Sequence, residues 1–321
     1  MRVTEEKIFS KLKTAEKTLI VCHRNPDADT LGAAAAFFSF LKKDNKNVTC
    51  FCVDPIPQFL NNLEKYLPVG TQMSQEKLNE FNVVLALDCG EAKQTGIAEL
   101  ISNRDKKVYV INIDHHFTND NFGNINLVGP ESSSTSEIVY HLFKNRKIKL
   151  EKPVLNLLLT GIMSDTTFFT NAATTKTSLS ISSELMSNGA DLKPVMASLW
   201  KNKDISTLKF WGEIFSRLEY NEKYGIVYTI ITQEDLKNNH LTEESIGGLS
   251  NFLTNLYQPN IILVLRESEN GKIKGSLRTT KDNIDVSKLA QMLGGGGHKK
   301  AAGFTVEGKL EKQKNNKWII K

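Results

Sequence analysis

The sequence lacks any apolar run long enough to cross a membrane, which takes about 18 residues or more. Residues 1–20 carry several charges and lack the apolar core of a signal peptide. Low-complexity tracts and internal repeats are also absent, which excludes repeat and fibrous architectures. We therefore expect a soluble protein that stays in the cytoplasm and has no membrane partner.

Cysteine is scarce, because the chain has only four and no two of them form a C-x-x-C pair. They lie in or beside predicted strands, as Cys22, Cys50, Cys52 and Cys89. In a reducing compartment such thiols pack as small apolar residues. We interpret them as core residues, in preference to a zinc site or a disulfide framework.

The composition is that of an ordinary folded protein, with 40% hydrophobic and 24% charged residues. At 321 residues the chain exceeds one average domain, so two domains are expected. The formal net charge of +5 favours an anionic substrate without identifying it.

The chain is organised around the stretch Leu19–Ala36. An apolar run, Leu19–Cys22, predicts a buried strand, and His23, Asp27 and Asp29 follow before a helix rich in small residues. Carboxylates crowded at the end of a strand repel one another unless a positive charge lies among them. A divalent metal is the simplest such charge, so the stretch predicts a hydrolytic metal site at the edge of an α/β sheet.

Two further apolar runs also end in acidic residues. Phe81–Leu87 leads to Asp88, and Val108–Ile113 leads to Asp114–His116. Nearly continuous apolar runs are typical of strands buried on both faces of a parallel sheet, and their alternation with helices predicts a doubly wound, mainly parallel α/β domain. One acid at a strand end is usually a helix cap. Three such ends, two with histidine, favour a shared ligand site.

A last acid, Asp165, follows an apolar helix predicted over Pro153–Met163, where the helix dipole disfavours negative charge. The predicted metal ligands are therefore His23, Asp27, Asp29, Asp88, His115 and Asp165. This oxygen-rich set suits Mn²⁺ or Mg²⁺, and its size calls for two cations, with Asp88 as the bridge. His116 then remains to bind phosphate or to protonate the leaving group, and Asp114 to orient an imidazole. His141 and His240 are interpreted as ordinary core or surface residues.

Ser134 precedes a helix predicted to run to about Arg146. Its hydroxyl can cap that helix, with Glu137 completing a capping box. The same exposed amides can hold a phosphate. The two roles are compatible, so Ser134 is also a candidate substrate-binding residue.

The C-terminal part predicts a smaller α/β domain with a mixed sheet. Its strands are predicted at Tyr224–Ile231, Ile261–Arg266, Lys272–Leu277 and Ala302–Val306, with a helix at Val286–Leu293 and a solvated loop at Lys309–Lys317. We predict domain boundaries of 1–190 for the catalytic domain, 191–217 for a helical linker and 218–321 for a substrate-binding domain.

Four consecutive glycines in this domain expose backbone amides to which an anion can come close. They are Gly294, Gly295, Gly296 and Gly297, and His298 follows them. Because they follow a predicted helix instead of opening one, neither a P-loop nor a Rossmann turn fits. A glycine cluster alone is most often a flexible loop. Together with Arg278, whose guanidinium can fork onto a phosphate, it indicates a substrate-binding set that includes His298.

These motifs, taken together, resemble a known family. The segments H-R-N-P-D-A-D at His23–Asp29 and D-H-H at Asp114–His116, with Asp88 and Asp165, resemble the DHH phosphoesterase superfamily. G-S-L-R, D-V-S-K-L-A and G-G-G-G-H resemble its DHH-associated C-terminal domain, at Gly275–Arg278, Asp285–Ala290 and Gly294–His298. Chain length and order are similar to the group of bifunctional oligoribonucleases (nanoRNases) and 3′-phosphoadenosine 5′-phosphate phosphatases.

The resemblance implies Mn²⁺-dependent hydrolysis, with Mg²⁺ or Co²⁺ as alternative cations. The implied substrates are short single-stranded RNA or DNA oligonucleotides, cut from the 5′ end to mononucleotides, and phosphoadenosine phosphate, converted to AMP. A homodimer is plausible on the same ground. A family II inorganic pyrophosphatase is a weaker reading because it would not need a glycine-rich nucleotide-binding set. A cyclic-dinucleotide phosphodiesterase, a RecJ-like single-strand exonuclease and a nucleotide-binding regulator without catalysis stay open.

Overall fold

Two compact units divide the chain in the computed structural model, Met1–Asn202 and Lys203–Lys321. The structure describes residues 2–44, 46–57, 60, 66–200, 204–242, 246–256, 259–268, 271–313 and 318–321, without the side chains of residues 200, 255, 256 and 298. In these parts of the chain, none of the helices combines the length and apolar character that a membrane span requires.

The first unit contains a six-stranded sheet in which every pair of neighbouring strands is parallel. The strands are β1 (Lys17–Cys22), β2 (Asn47–Phe51), β3 (Val69–Gly70), β4 (Val83–Leu87), β5 (Tyr109–Asp114) and β6 (Ile125–Val128). Their order in the sheet is β3-β2-β1-β4-β5-β6. All five residues of β4 are buried, as expected for a central strand of a parallel sheet.

Helices cover both faces of this sheet, so the predicted doubly wound, mainly parallel α/β fold is confirmed. One face carries α1 (Arg2–Thr14), α2 (Ala28–Lys43), α5 (Thr135–Asn145) and α6 (Lys152–Asp165). The other face carries α3 (Gln75–Leu78) and α4 (Ala98–Ser102). A short 3₁₀ helix, Ala92–Thr95, follows β4.

The helices α2 and α6 approach each other closely because glycine lies at their crossing. A Cβ on Gly32 would lie 2.6 Å from the Leu157 carbonyl oxygen, so no larger residue fits without a shift. This close approach brings the beginning of α2 and the end of α6, which both carry predicted ligands, to the same edge of the sheet.

Three helices lie in the region around the predicted linker: α7 (Lys176–Ser187), α8 (Leu192–Trp200) and α9 (Ile205–Ser216). Val195 of α8 is buried in the core of the first unit. Phe210, Trp211 and Ile214 of α9 are buried in the core of the second. The boundary between the compact units thus falls inside the predicted 191–217 linker.

The second unit contains a mixed six-stranded sheet, which confirms the predicted mixed α/β fold. Its strands are β7 (Glu219–Asn221), β8 (Ile226–Ile231), β9 (Ile261–Glu267), β10 (Lys272–Arg278), β11 (Gly296–His298) and β12 (Ala301–Glu307). Their order in the sheet is β11-β12-β10-β9-β8-β7, and among these six strands only β8 and β9 pair in parallel. The remaining helices are α10 (Gln233–Asn238), α11 (Leu249–Leu256) and α12 (Val286–Met292).

The prediction of a loop at the lysine-rich end of the chain is wrong over part of its length. Leu310–Lys312 forms β13 and pairs antiparallel with β14 (Trp318–Ile320). Leu310 is buried and Trp318 packs against the same small cluster, so these two apolar side chains anchor the hairpin. Residues 314–317 lie outside the described part of the chain.

Candidate active site

The first site segment connects β1 to α2. His23 follows the strand directly, and Asp27 is the N-cap of α2, where its Oδ1 accepts the N–H groups of Asp29 (2.9 Å) and Thr30 (3.1 Å). The His23 Nε2 atom lies 3.4 Å from Asp27 Oδ1 and 3.4 Å from Asp88 Oδ2. Asp27 therefore both caps a helix and faces the site, so the two interpretations of an acid at a strand end are compatible here.

Asp29 is fully buried and is held by the N-terminus of α5. Its Oδ2 accepts the backbone N–H of Thr135 at 2.6 Å, and its Oδ1 accepts that of Ser136 at 2.7 Å. Two backbone donors at a helix N-terminus stabilise a carboxylate through hydrogen bonds and through the helix dipole. These amides, which the sequence offered to a phosphate, thus hold a protein carboxylate.

Asp88 lies at the centre of the site with a backbone conformation that is unusual for a residue with a side chain. Its φ is +59°, and its side chain is 3% exposed. Oδ1 accepts the hydroxyl of Thr135 at 3.0 Å and lies 3.6 Å from His115 Nε2. Left-handed conformations of such residues persist where the surroundings impose them, and they cluster at functional sites.

Asp114 ends β5 and pairs with the second histidine of the D-H-H motif. Its Oδ1 lies 2.7 Å from His116 Nδ1, and the carboxylate is fully buried. His116 Nδ1 also lies 3.7 Å from Asp88 Oδ1. The contact between Asp114 and an imidazole, which the sequence predicted in general terms, is therefore made with His116.

Asp165 is the last residue of α6 rather than a residue just beyond it. Its Oδ2 lies 3.4 Å from His115 Nε2. All six predicted ligands, together with His116, lie in three groups, in each of which the donor atoms lie within 4.8 Å of one another: Asp88, His115 and His116; His23, Asp27 and Asp88; and Asp29, His115 and Asp165. Asp88 and His115 each belong to two groups.

The electrostatics of this cluster show an excess of negative charge. Burial raises the pKa of Asp29 well above its usual range, and the charges of Asp88 and Asp27 raise it further. The pKa of Asp165 is likewise raised well above normal, first by burial and then by Asp29. Buried carboxylates that face one another resist ionisation. A divalent cation among them stabilises their ionised form.

The pKa values of His116 and Asp114 shift in opposite directions. Burial lowers the pKa of His116, but its hydrogen bond to Asp114 and the charge of Asp88 outweigh burial and raise the pKa to about 9 in the metal-free protein. Burial raises the pKa of Asp114, but the hydrogen bond and charge of His116 outweigh it, so the net direction is down. The contact between the two side chains thus favours a protonated imidazole paired with an ionised carboxylate.

The donor set fits divalent cations. Carboxylate oxygens dominate, imidazole nitrogens are the minority and no thiolate takes part, which is the combination that suits Mn²⁺ or Mg²⁺. The four cysteines are buried and reduced, as predicted for core residues. Burial also raises the pKa of Cys22 to about 12, so this thiol stays neutral and is a poor ligand.

Arg278 lies at the end of β10 in the second unit. Its Nε donates to Asn251 Oδ1 at 2.8 Å, and one terminal nitrogen donates to the Leu277 carbonyl at 2.9 Å. Among the described residues, no carboxylate lies within ion-pair distance of this guanidinium. Burial lowers the pKa of Arg278. A partly buried arginine without a carboxylate partner is suited to bind an anionic ligand.

The four glycines differ in what the fold requires of them. Gly294 and Gly297 have φ values of +74° and +138°, and a Cβ on Gly295 would lie 2.6 Å from Phe304 Cα. Gly296 has neither restriction, since nothing lies within 4 Å of its Cβ position. His298 ends β11, and its side chain lies outside the described part of the structure.

Ser134 is fully buried and caps α5, where its hydroxyl accepts the N–H of Glu137 at 3.1 Å. Glu137 does not complete the predicted box with Ser134, because its Oε2 instead accepts the N–H and hydroxyl of Ser133 at 3.1 and 2.7 Å. Substrate binding by Ser134 stays a prediction, and the cap role is the one with a visible partner.

Several site residues escaped the sequence analysis. Thr135 donates to Asp88, and Gly161 leaves room for Asp29, whose Oδ1 would lie 2.9 Å from a Cβ at position 161. Asn119 donates to Asp114 at 2.6 Å. The helix-capping pattern around Ser134 was the only available signal for Thr135. No local pattern indicates a contact between α6 and α2.

The fold and this acidic edge define a metal-dependent phosphoesterase. Family models agree, since the DHH family, N-terminal domain, matches residues 17–162 and the DHHA1 domain matches residues 223–319. The chain therefore carries the N-terminal domain of the DHH family and a DHHA1 domain.

Individual relatives span almost the whole chain. The bifunctional oligoribonuclease and PAP phosphatase NrnA of Thermus thermophilus is 29% identical over 92% of this chain and 86% of its own length. The cyclic-di-AMP phosphodiesterase PdeA of Listeria monocytogenes is 24% identical over 92% of this chain, but only 46% of PdeA is covered. A crystal structure of an exopolyphosphatase-related protein from Bacteroides fragilis superposes with a TM-score of 0.88 at 25% identity, covering 96% of this chain and 92% of that one.

Proposed function

We propose that the chain is a manganese-dependent phosphoesterase with two activities. It hydrolyses very short oligonucleotides to mononucleotides, and it removes the 3′-phosphate of 3′-phosphoadenosine 5′-phosphate to give AMP. The observation that carries the proposal is the sharing of Asp88 and His115 among three ligand groups. Two cations held side by side in this way suit in-line displacement at phosphorus. The Thermus thermophilus relative supports the choice of substrates.

The six residues that would hold the cations are His23, Asp27, Asp29, Asp88, His115 and Asp165. Mn²⁺ suits their mixture of carboxylate and imidazole best, with Mg²⁺ or Co²⁺ as alternatives. When bound, two such cations supply a hydroxide nucleophile and offset the charge on the phosphoryl oxygens.

His116 protonates the leaving oxygen in this proposal. Its Nδ1 lies 2.7 Å from Asp114 Oδ1, and in this proposal Nε2 is the nitrogen that gives its proton to the leaving oxygen. The hydrogen bond to the Asp114 carboxylate favours the protonated imidazole, which is the form that a general acid needs. Asp114 orients the ring without taking part in proton transfer.

The second unit binds the substrate through Arg278, the run Gly294–Gly297 and His298. Arg278 supplies a cation without a carboxylate partner in the described structure. Gly296 allows a close approach of the ligand because the space at its Cβ position is open. The cytoplasmic location and the homodimer expected from the sequence stay predictions.

Hydrolysis of a cyclic dinucleotide is the second candidate, favoured by the similarity to PdeA. The same metal site can cut either phosphodiester, so the metal ligands do not separate the two activities. Substrate preference separates them. We place the linear dinucleotide first because the oligoribonuclease relative is matched over 86% of its length and PdeA over only 46%.

The test compares turnover of four substrates in Mn²⁺: a diribonucleotide, 3′-phosphoadenosine 5′-phosphate, a cyclic dinucleotide and a long single strand. We expect the highest turnover per enzyme molecule with the first two substrates, and no turnover in the presence of a chelator. Asp88→Asn should abolish turnover, whereas Asp105→Asn, which changes an exposed carboxylate of the same unit, should not. Faster release from the cyclic dinucleotide would favour the second candidate, and binding without metal-dependent turnover would favour a regulator.

A further inference from the structure

Asn119 lies in the loop between β5 and β6 and contacts a buried carboxylate. Its Nδ2 atom lies 2.6 Å from Asp114 Oδ2, 2.8 Å from Asn112 Oδ1 and 3.1 Å from the carbonyl oxygen of Cys89. Asn112 is fully buried and donates in turn to the Cys89 carbonyl at 3.0 Å. An amide network therefore surrounds one side of Asp114.

The orientation of the Asn119 amide is determined by its neighbours. Its nitrogen faces three oxygen atoms, while its Oδ1 accepts the backbone N–H of Asn121 at 2.7 Å. The flipped amide would place oxygen against the Asp114 carboxylate and nitrogen against an N–H donor, which is repulsive at both ends.

The two oxygens of Asp114 consequently have different partners. Oδ1 lies 2.7 Å from His116 Nδ1, and Oδ2 accepts from Asn119. Because Asp114 is fully buried, solvent cannot replace either partner. With Oδ2 held, rotation of the carboxylate away from the imidazole would break a hydrogen bond to a charged group.

We infer that Asn119 is a positioning residue that acts through Asp114 on the proton donor His116. The inference rests on the proposed function, in which the His116 imidazole must be oriented to donate a proton to the leaving oxygen. The Asn119 backbone N–H also donates to the His116 carbonyl oxygen at 3.1 Å, so its backbone and its side chain hold the same segment. A change of the Asn119 side chain alone acts through Asp114, so its effect falls on the protonation of the leaving group.

Removal of a hydrogen-bonding partner behind a site residue typically lowers activity by about 10- to 100-fold. We expect a loss of that size in kcat for Asn119→Ala with a dinucleotide, and an unchanged KM. The loss should nearly disappear with a p-nitrophenyl ester of a nucleoside 5′-monophosphate, since nitrophenolate departs without a proton. In a His116→Ala background, Asn119→Ala should cause no further loss with the dinucleotide.

Asn119→Asp separates positioning from loop structure. Aspartate keeps an oxygen for the Asn121 N–H but replaces the amino group with a second oxygen against Asp114. We expect Asn119→Asp to lose kcat as Asn119→Ala does. The matched control is Asn126→Ala, because Asn126 holds the Gly123 N–H at 2.9 Å in the same loop and does not contact Asp114.

The experiment measures kcat and KM of these variants with both substrates, together with the proton NMR resonance of the His116 Nδ1–H in metal-free protein. The resonance should lie far downfield in the wild type and in Asn126→Ala, and should exchange rapidly with water in Asn119→Ala. Wild-type kcat in Asn119→Asp, an equal loss on both substrates, or an unchanged resonance in Asn119→Ala would each overturn the inference. A wild type without metal-dependent turnover, but with the expected NMR change, would overturn the proposed function while it still supported the positioning of His116 by Asn119.

Discussion

The substitution Gly161→Ala should impair metal binding while it leaves the fold intact. Gly161 lies in α6 where that helix crosses α2, and an added Cβ would lie 2.9 Å from Asp29 Oδ1 and 3.0 Å from Asp29 Cα. The Ser136 hydroxyl oxygen would lie closer still, and real Cβ atoms essentially never come within 3.0 Å of such atoms, so the side chain of Ser136 or of Asp29 must move. Any such movement strains the hydrogen bonds that Asp29 accepts from Thr135 and Ser136.

The expected effect on stability is small because two contributions oppose each other. Overpacking a core costs about 1–3 kcal/mol, and alanine in a helix interior is favoured over glycine by about 1 kcal/mol. The free energy of unfolding should therefore fall by about 2 kcal/mol at most. Each strained bond to the Asp29 carboxylate is worth about 1.5–3 kcal/mol, and displacement of this ligand should weaken Mn²⁺ binding by about 10-fold or more.

Calorimetric titration with Mn²⁺ and thermal unfolding of the metal-free protein measure the two effects separately. The matched control is Gly212→Ala, because Gly212 lies in the helix α9 and nothing lies within 4 Å of its Cβ position. It should raise the stability by about 1 kcal/mol or less and leave Mn²⁺ binding unchanged. Wild-type Mn²⁺ affinity in Gly161→Ala would refute the reasoning about the crossing of α2 and α6.

Three further predictions concern single contacts. Thr135→Val keeps the shape of a buried side chain but removes the hydroxyl donor to Asp88 Oδ1. The affinity for Mn²⁺ in a calorimetric titration should therefore fall by about 10-fold. An unchanged affinity would contradict this prediction. Gly296→Ala should raise KM at unchanged Tm, whereas Gly295→Ala should lower Tm, and the reverse pattern would refute the division of the glycine run. In metal-free protein the folded-state pKa of His116, about 9, exceeds its usual value of 6.5, so the stabilisation from its charge is complete below pH 6.5 and is lost as pH rises through 9. Chemical unfolding against pH should show this decline. His116→Gln should make the decline smaller and leave the part that comes from His23, whose pKa is also raised, and an unchanged decline would contradict this.

The sheet and the convergence of the acidic residues at its edge could be predicted because each signal is local. An apolar run such as Val83–Leu87 fits only a buried strand, and the acid that follows it must lie at the carboxyl edge of the sheet. Once three runs were assigned to one parallel sheet, geometry required their terminal acids to meet. The shared position of Asp88 in two ligand groups follows from β4 lying between β1 and β5.

The remaining parts of the site could not be predicted because their contacts are distant in sequence. Thr135 and Asp29 are 106 positions apart, and they are in contact because the N-terminus of α5 lies against the start of α2. The pattern around Ser134 predicts the same helix cap whether or not a carboxylate binds at that N-terminus. The hairpin of β13 and β14 was missed because residues 309–317 are mostly polar and rich in lysine, and the apolar run Trp318–Ile320 is only three residues long. Leu310 and Trp318 anchor it.

Anomalous diffraction from crystals of the protein grown with Mn²⁺ tests the central claim most directly. The account predicts two manganese peaks per chain, about 3.5–4 Å apart, with Asp88 bound to both. A single peak, two peaks of which Asp88 contacts neither, or manganese only at exposed carboxylates would contradict it.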